Sequence, residues 1–362
     1  MSQLVLFLKA NLLHFVSAAL IAVVLVPVLN KTGIALGIYA RQNNRTIHTG
    51  KVVRIGGASI YLAFLISMCI FLKADRTING ILLGGLIIFI VGLVDDIYDL
   101  KPMVKLAGQI AAALVAMFVG GVGLETLNLP FHITLRFGAL NYLITFFWIL
   151  GIANAINLID GLDGLAAGIS AIVLATIGFL AVAMGSTSVG TMAMLLCGAT
   201  IGFLIFNFHP ARIFMGDCGA LYLGYNIACF SLLGFKTATF ITLALPIIVL
   251  SVPILDTLIA IVRRRLKGVS FSQGDKEHMH HILMYRLKLG HVKAVLVLYL
   301  VTALFAATAL VSYYHERWGL ALLLVLIFGF ELFVEATDMV NVRYHPLMGL
   351  SRRLFGVPKK RQ

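Results

Sequence analysis

The sequence predicts an all-α, polytopic membrane protein, and three observations carry that expectation. Hydrophobic residues make up 60% of the 362 positions and charged residues only 12%, with a mean hydropathy of +1.01; soluble domains carry about a quarter charged residues. The apolar residues fall in runs of the length needed to cross a hydrocarbon core, roughly 20 residues per helix. The basic residues behind the net charge of +13 gather between alternate runs, as membrane topology requires. These features exclude a soluble globular protein and a disordered chain. They also make the positive charge topological, with no nucleic-acid partner expected. Cys69, Cys197, Cys218 and Cys229 stand at no metal-ligand spacing, so neither a disulfide framework nor a zinc site is indicated.

Eleven runs read as crossings, in order 4–29, 55–72, 81–94, 106–120, 141–157, 165–184, 189–207, 219–234, 241–262, 294–313 and 319–336. The first lacks a small-residue cleavage site, and almost nothing basic precedes it, so it reads as a retained helix. Gly84-Gly85 in the third run marks a place where helices pack closely. With eleven crossings, 22 of the 28 Lys and Arg residues fall on one face and 6 on the other. The basic face is then cytoplasmic, with the N-terminus outside and the C-terminus inside. Residues 1–336 read as a single transmembrane helical domain with cytoplasmic active-site loops, and 337–362 as a basic cytoplasmic tail. Asp95, Asp96, Asp99, Asp160, Asp163, Asp217, Asp275 and Glu277 share the basic face. The positive-inside rule says nothing about acids, so their gathering there points to a site for a cation and phosphates.

Five constellations lie on that face. In Asp95-Asp96-Ile-Tyr-Asp99-Leu-Lys101-Pro102, adjacent aspartates at a helix end repel unless a cation neutralises them. Pro102 suggests that the helix ends nearby, and Lys101 and Lys105 follow as phosphate partners; the bland alternative is a solvated helix cap. In Asn154-Ala-Ile-Asn157-Leu-Ile-Asp160-Gly161-Leu-Asp163-Gly164, polar residues recur every three positions along one helical face. Buried amides need partners, so Asn154 and Asn157 must bond a substrate or a neighbouring helix. In His209-Pro-Ala-Arg212-Ile-Phe-Met-Gly216-Asp217, a carboxylate flanked by glycines at the mouth of a span suits a Mg²⁺ ligand, or a turn paired with Arg212. The 263–293 loop opens with Arg263-Arg264-Arg265, read as an interfacial anchor, and continues to His278-Met-His280-His281, which suits phosphate or sugar recognition better than zinc. Arg45-Thr-Ile-His48-Thr-Gly-Lys51-Val-Val-Arg54-Ile-Gly56-Gly57 is either an anion cradle or inside-positive charge. Asp256 is an intramembrane acid with a basic loop residue as its candidate partner and no assigned role.

Taken in order, these motifs resemble the polyprenyl-phosphate N-acetylhexosamine-1-phosphate transferases. The matching stretches lie at 45–57, 95–102, 157–165, 214–217, 253–257 and 278–281, spanning about 240 residues. The resemblance implies an integral membrane enzyme of the cytoplasmic membrane. Such an enzyme depends on Mg²⁺, with Mn²⁺ often substituting, and moves a sugar-1-phosphate from a UDP-sugar to a polyprenyl phosphate, releasing UMP. His-Met-His-His after an arginine-rich run, Arg-Thr-Ile-His and the basic tail are similar to the branch that uses UDP-GlcNAc and undecaprenyl phosphate. That branch starts teichoic acid, O-antigen or related surface polymers. The branch transferring phospho-MurNAc-pentapeptide for peptidoglycan usually carries three consecutive histidines and is the alternative. Position by position, the resemblance implies Mg²⁺ at Asp217, Asp95 and Asp96 beside the metal and lipid phosphate, and Lys105 on the phosphates. It further implies Asn154, Asn157 and Asp160 lining the nucleotide-sugar site, Asp160 counted with the catalytic set, Asp163 and His48 as further substrate contacts, and His278, His280 and His281 near the diphosphate or sugar. A homodimer is compatible with it.

A secondary transporter places acids near the bilayer midplane and often repeats its halves, whereas here the acids sit at one face and nothing repeats. A membrane phosphatase would need a water route and a base set apart from the metal, which the residues alone do not exclude.

Overall fold

The computed structural model describes residues 2–39, 52–124, 126–129, 133–234, 240–267, 278–337 and 339. His48 and nearly all of the 337–362 tail lie outside the described residues. The described residues are helical apart from one hairpin. In order come α1 (Ser2–Ala35), α2 (Gly57–Phe71), α3 (Arg76–Tyr98) and α4 (Pro102–Phe118); strands β1 (Thr126–Leu129) and β2 (Ile133–Arg136); then α5 (Leu140–Ile159), α6 (Leu165–Ala183), α7 (Thr187–Asn207) and α8 (Gly216–Gly234). They are followed by α9 (Phe240–Val249), α10 (Ser251–Lys267), the short α11 (Met279–His281) running into a π turn (Ile282–Arg286), α12 (His291–Tyr314) and α13 (Glu316–Ala336).

Among the described residues, seven helices are long and apolar enough to cross a bilayer: α1 from Asn11 onward, α3, α5, α6, α7, α12 and α13. This is a multi-pass membrane protein. The other four expected runs differ from simple spans. α2 and α4 are apolar but only 15 and 17 residues long. The run 241–262 is divided into α9 and α10, with Pro246 inside the first and Pro253 in the opening turn of the second; proline lacks the donor that would continue a regular helix and is tolerated in a first turn. α8 is buried along its entire length, so protein rather than lipid surrounds it. That is why it can carry Tyr222, Tyr225 and Asn226.

The all-α expectation holds, with one small hairpin added. The 121–140 connection contains an antiparallel hairpin with Leu127 opposite Leu135 and Leu129 opposite Ile133, and the alternation Leu127, Leu129, Ile133, Leu135 is its period-two signature.

Helix boundaries follow local chemistry. Asp75 caps α3, its carboxylate accepting the Ile78 N–H at 2.7 Å, a bond that satisfies one of the orphan donors of a helix start. α3 ends where Asp99 turns left-handed (φ 59°), and α4 opens with Pro102 at its first position, where a missing N–H costs nothing. The expected break before Pro102 is therefore present. α8 forms the centre, packed against α2, α3, α5, α6 and α7. Gly84 is one reason for that tightness: a side chain there would collide with Tyr225 and with the Ala112 carbonyl of α4.

Candidate active site

The start of α8 is built by three segments far apart in sequence. Residues 53–57 pair with 213–215: Phe214 N donates to the Val53 carbonyl (2.9 Å), Gly56 N to the Phe214 carbonyl (2.9 Å) and Gly57 N to the Met215 carbonyl (2.8 Å). This short parallel ladder delivers Arg54 to the helix mouth. The end of α3 delivers Asp95 and Asp96. Asp96 then caps α8 from outside the helix, its oxygens accepting the Asp217 N–H (2.8 Å) and the Cys218 N–H (3.0 Å). A carboxylate at a helix N-terminus meets both free donors and the positive end of the helix dipole. Gly216 makes this possible: its φ of +71° suits glycine, and a Cβ would strike the Arg54 carbonyl and the Asp96 carboxylate.

Around this cap, carboxylates and cations alternate. Arg54 pairs through Nε with Asp96 (3.1 Å) and through Nη2 with Asp217 (2.9 Å). Lys105 Nζ pairs with Asp95 (3.1 Å) and with the other oxygen of Asp217. The remaining Asp95 oxygen accepts the Leu100 N–H at 2.9 Å. The donor set suits a hard divalent cation: an oxygen from each of Asp95, Asp96 and Asp217 lies within 4.8 Å of the other two, and Mg²⁺ is commonly held by one or two carboxylates together with phosphates and water.

The second motif flanks this cluster. Asp160 ends α5, and its carboxyl is pushed up to about 7, first by burial and then by the negative charge of Asp217. Asn154 finds its partner on a neighbouring helix, in a reciprocal amide pair with Gln109 of α4 (2.6 and 3.3 Å). Asn157 is half-buried one turn further along α5. Asp163 faces elsewhere: its buried carboxylate accepts the Ala211 N–H (3.1 Å) and meets His209 Nδ1 (2.8 Å), and the His209 ring stacks on His291 with centroids 4.1 Å apart. Asp163 thus ties down the loop that leads into α8. Asn207, buried at the end of α7, works in the same loop by accepting the Gly164 N–H and donating to the Ile213 carbonyl.

The histidine turn is tethered by Asp256, whose carboxylate meets His278 Nδ1 (2.8 Å) and accepts the Met279 N–H (2.8 Å). Asp256 therefore does pair with a basic loop residue and also caps α11. His280 is buried against Gly161, beside Asp160. Burial, reinforced by neighbouring His281, drives its imidazolium down to about 3, so His280 is a neutral hydrogen-bonding group near pH 7. His281 is half-buried, its ring between His280 and Tyr285.

Asp95, Asp96, Lys105 and Asp217, predicted from separate motifs, thus meet in one cluster. Asp160 joins its edge, and the histidines approach through Gly161. Arg54 stands in the cluster although the sequence left it between an anion cradle and topological charge; its one signal was the place next to Gly56-Gly57.

Comparison with known proteins gives this arrangement a family. The model of glycosyl transferase family 4 matches residues 78–235, from α3 through α8. A probable undecaprenyl-phosphate N-acetylglucosaminyl 1-phosphate transferase of Bacillus subtilis (strain 168) is 37% identical over 345 residues, 94% of this chain and 96% of the relative. The chain belongs to glycosyl transferase family 4. A decaprenyl-phosphate N-acetylglucosaminephosphotransferase of Mycobacterium tuberculosis (strain ATCC 25618 / H37Rv) is 32% identical over 73% of each chain. An undecaprenyl-phosphate alpha-N-acetylglucosaminyl 1-phosphate transferase of Escherichia coli (strain K12) is 27% identical over 81% of this chain and 82% of its own. The segment matched to glycosyl transferase family 4 contains Asp95, Asp96, Lys105, Asp160 and Asp217 but not Arg54 or the histidine turn.

Proposed function

We propose that this protein transfers N-acetylglucosamine-1-phosphate from UDP-GlcNAc to undecaprenyl phosphate, releasing UMP, and so makes the first lipid-linked intermediate of a cell-surface polymer such as teichoic acid or O-antigen. The observation that carries this reading is the meeting of Asp95, Asp96 and Asp217 with Arg54 and Lys105 at the mouth of a buried helix. Carboxylates for a cation beside cations for phosphates are what a reaction between two phosphate esters requires. The names of the full-length relatives agree on the transferred group. In this reading the chain crosses the cytoplasmic membrane eleven times, with the N-terminus outside and the site facing the cytoplasm.

Mg²⁺, or Mn²⁺ in its place, would be held by Asp217 with help from Asp95 and Asp96; when bound it neutralises phosphate charge and polarises the phosphorus under attack. Each protein residue then has a task. Asp96 is committed to the α8 backbone and Arg54, so it organises the site rather than reacting. Asp95, fixed at one oxygen by Leu100, turns the other toward Lys105 and the space beside Asp217, where the acceptor phosphate belongs. Lys105 and Arg54 screen the repulsion between the two anionic substrates. Asp160, the amide of Asn157 and the neutral His280 border the donor sugar nucleotide.

The acceptor is a phosphate monoester, whose second pKa is about 6. It is mostly dianionic at pH 7 and needs little help from a base. The lipid phosphate oxygen attacks the β-phosphorus of UDP-GlcNAc, the bond to the bridging oxygen breaks, and UMP leaves in a single displacement. Purified protein given labelled UDP-GlcNAc, Mg²⁺ and undecaprenyl phosphate is expected to form labelled lipid and UMP in equal amounts. Without lipid it releases no UMP; a stoichiometric burst lost in Asp95→Asn would replace this scheme with a covalent one. UDP-MurNAc-pentapeptide is expected to be at least about a hundredfold poorer in kcat/KM, and comparable values would move the protein to the peptidoglycan branch.

A further inference from the structure

Every oxygen of the three clustered carboxylates already has a donor. Asp217 has Arg54 on one oxygen and Lys105 on the other. Asp95 has Leu100 N–H and Lys105; Asp96 has the N–H groups of Asp217 and Cys218 together with Arg54. The formal balance is three negative charges against two positive ones. A divalent ion reaching Asp217 therefore meets a protein cation already paired with each of its oxygens, and that charge repels it. The cations are the parts able to move. Arg54 and Lys105 are long side chains with 33% and 23% of their surface exposed, whereas the carboxylates of Asp96, Asp95 and Asp217 are 0%, 5% and 11% exposed, and those of Asp96 and Asp95 are also held by backbone N–H groups.

From this we infer that Arg54 and Lys105 are exchangeable counter-ions: they hold Asp217 while no divalent metal is bound, and are released toward the substrate phosphates when the metal takes their place. Their charge opposes metal binding to the empty protein and favours it once a diphosphate is present to receive the displaced groups. Metal and donor then bind with positive coupling, which by linkage is reciprocal. The inference rests on the transferase reading only for the identity of the diphosphate.

The test measures Mn²⁺ binding to full-length purified protein by electron paramagnetic resonance of the free ion, with and without UDP. No catalysis is needed. Without nucleotide, Lys105→Met is expected to bind Mn²⁺ on the order of tenfold more tightly than wild type, because one competing charge within about 4 Å is removed. UDP should tighten Mn²⁺ binding several-fold in wild type and by a smaller factor in the variant. Lys31→Met, which removes the same charge from an exposed position of α1, should leave both values near wild type. Arg54→Met, made in parallel, asks the same question at the other oxygen of Asp217, and Arg54→Lys should restore most of the wild-type weakness. Unchanged or weaker Mn²⁺ binding in Lys105→Met or Arg54→Met without nucleotide, or the same tightening in Lys31→Met, would overturn the exchange. A wild-type protein that releases no UMP in the lipid assay would instead count against the transferase reading and leave the Mn²⁺ comparison standing.

Discussion

Asp217 is the residue at which the two halves of the site's chemistry meet, because it stands in the first turn of α8 and touches both Arg54 and Lys105. Asp217→Asn keeps the shape and removes the charge. Turnover of UDP-GlcNAc is expected to fall by about a hundred- to a thousandfold, the range seen when a charge-stabilising group is lost. Excess Mg²⁺ should restore little of it, and an isotope assay of lipid product would register near-normal turnover if the metal were held elsewhere. Asp160 gives a prediction of the opposite kind. Its carboxyl is raised to about 7 by burial and by Asp217. A raised carboxyl means the folded state binds the proton more tightly than the unfolded chain does, so metal-free stability is lost as pH climbs from about 4 through 7. Asp160→Asn should therefore melt above wild type at pH 8 in chelator, and the gap should narrow at pH 5 and close only near about pH 4. A gap of equal size at both values would mean that the Asp160 charge is not the strained element.

Elements bring these residues together by their ends rather than their faces. α3 contributes its last turn, α8 its first, and α4 its opening turn after Pro102, so all three expose unpaired backbone groups or dipole ends at one place. The cap supplied by Asp96 to α8 works only while Gly216 holds its positive φ. Gly216→Ala adds roughly 1–2 kcal/mol of backbone strain and drives a methyl group at Asp96. A lower melting temperature and loss of lipid product are expected together. A stable, active Gly216→Ala protein would show that the cap can be rebuilt. The Asp256 tether is similar in kind: one carboxylate both starts α11 and orients His278, so a buried acid of α10 helps to place the histidine turn.

At the scale of the whole molecule, the proposal of eleven crossings makes a prediction: residue 362 is expected to be cytoplasmic and the connections at 185–188 and 235–240 external, on the strength of 22 basic residues against 6 in the sequence. Reporter fusions at these three positions measure this directly; an external Gln362 would put the carboxylate cluster on the wrong side for a cytoplasmic nucleotide sugar. Composition and hydropathy were enough to determine a polytopic helical membrane protein, because transfer of apolar and charged groups between water and lipid depends on residue type alone. Motif order was enough for the family, and the Asp95-Asp96, Lys105 and Asp217 set was legible residue by residue. What only the tertiary structure decided was pairing. Asn154 could have faced substrate or helix, and Gln109 answers it; Asp163 could have joined the nucleotide site, and its carboxylate instead braces His209 and Ala211. Arg54, 163 residues from Asp217, entered the site through a three-residue backbone ladder. The division of 241–262 into α9 and α10 and the burial of α8 belong with these. A hydrogen bond or an ion pair depends on where two distant segments come to rest, and neither partner's own sequence window carries that information.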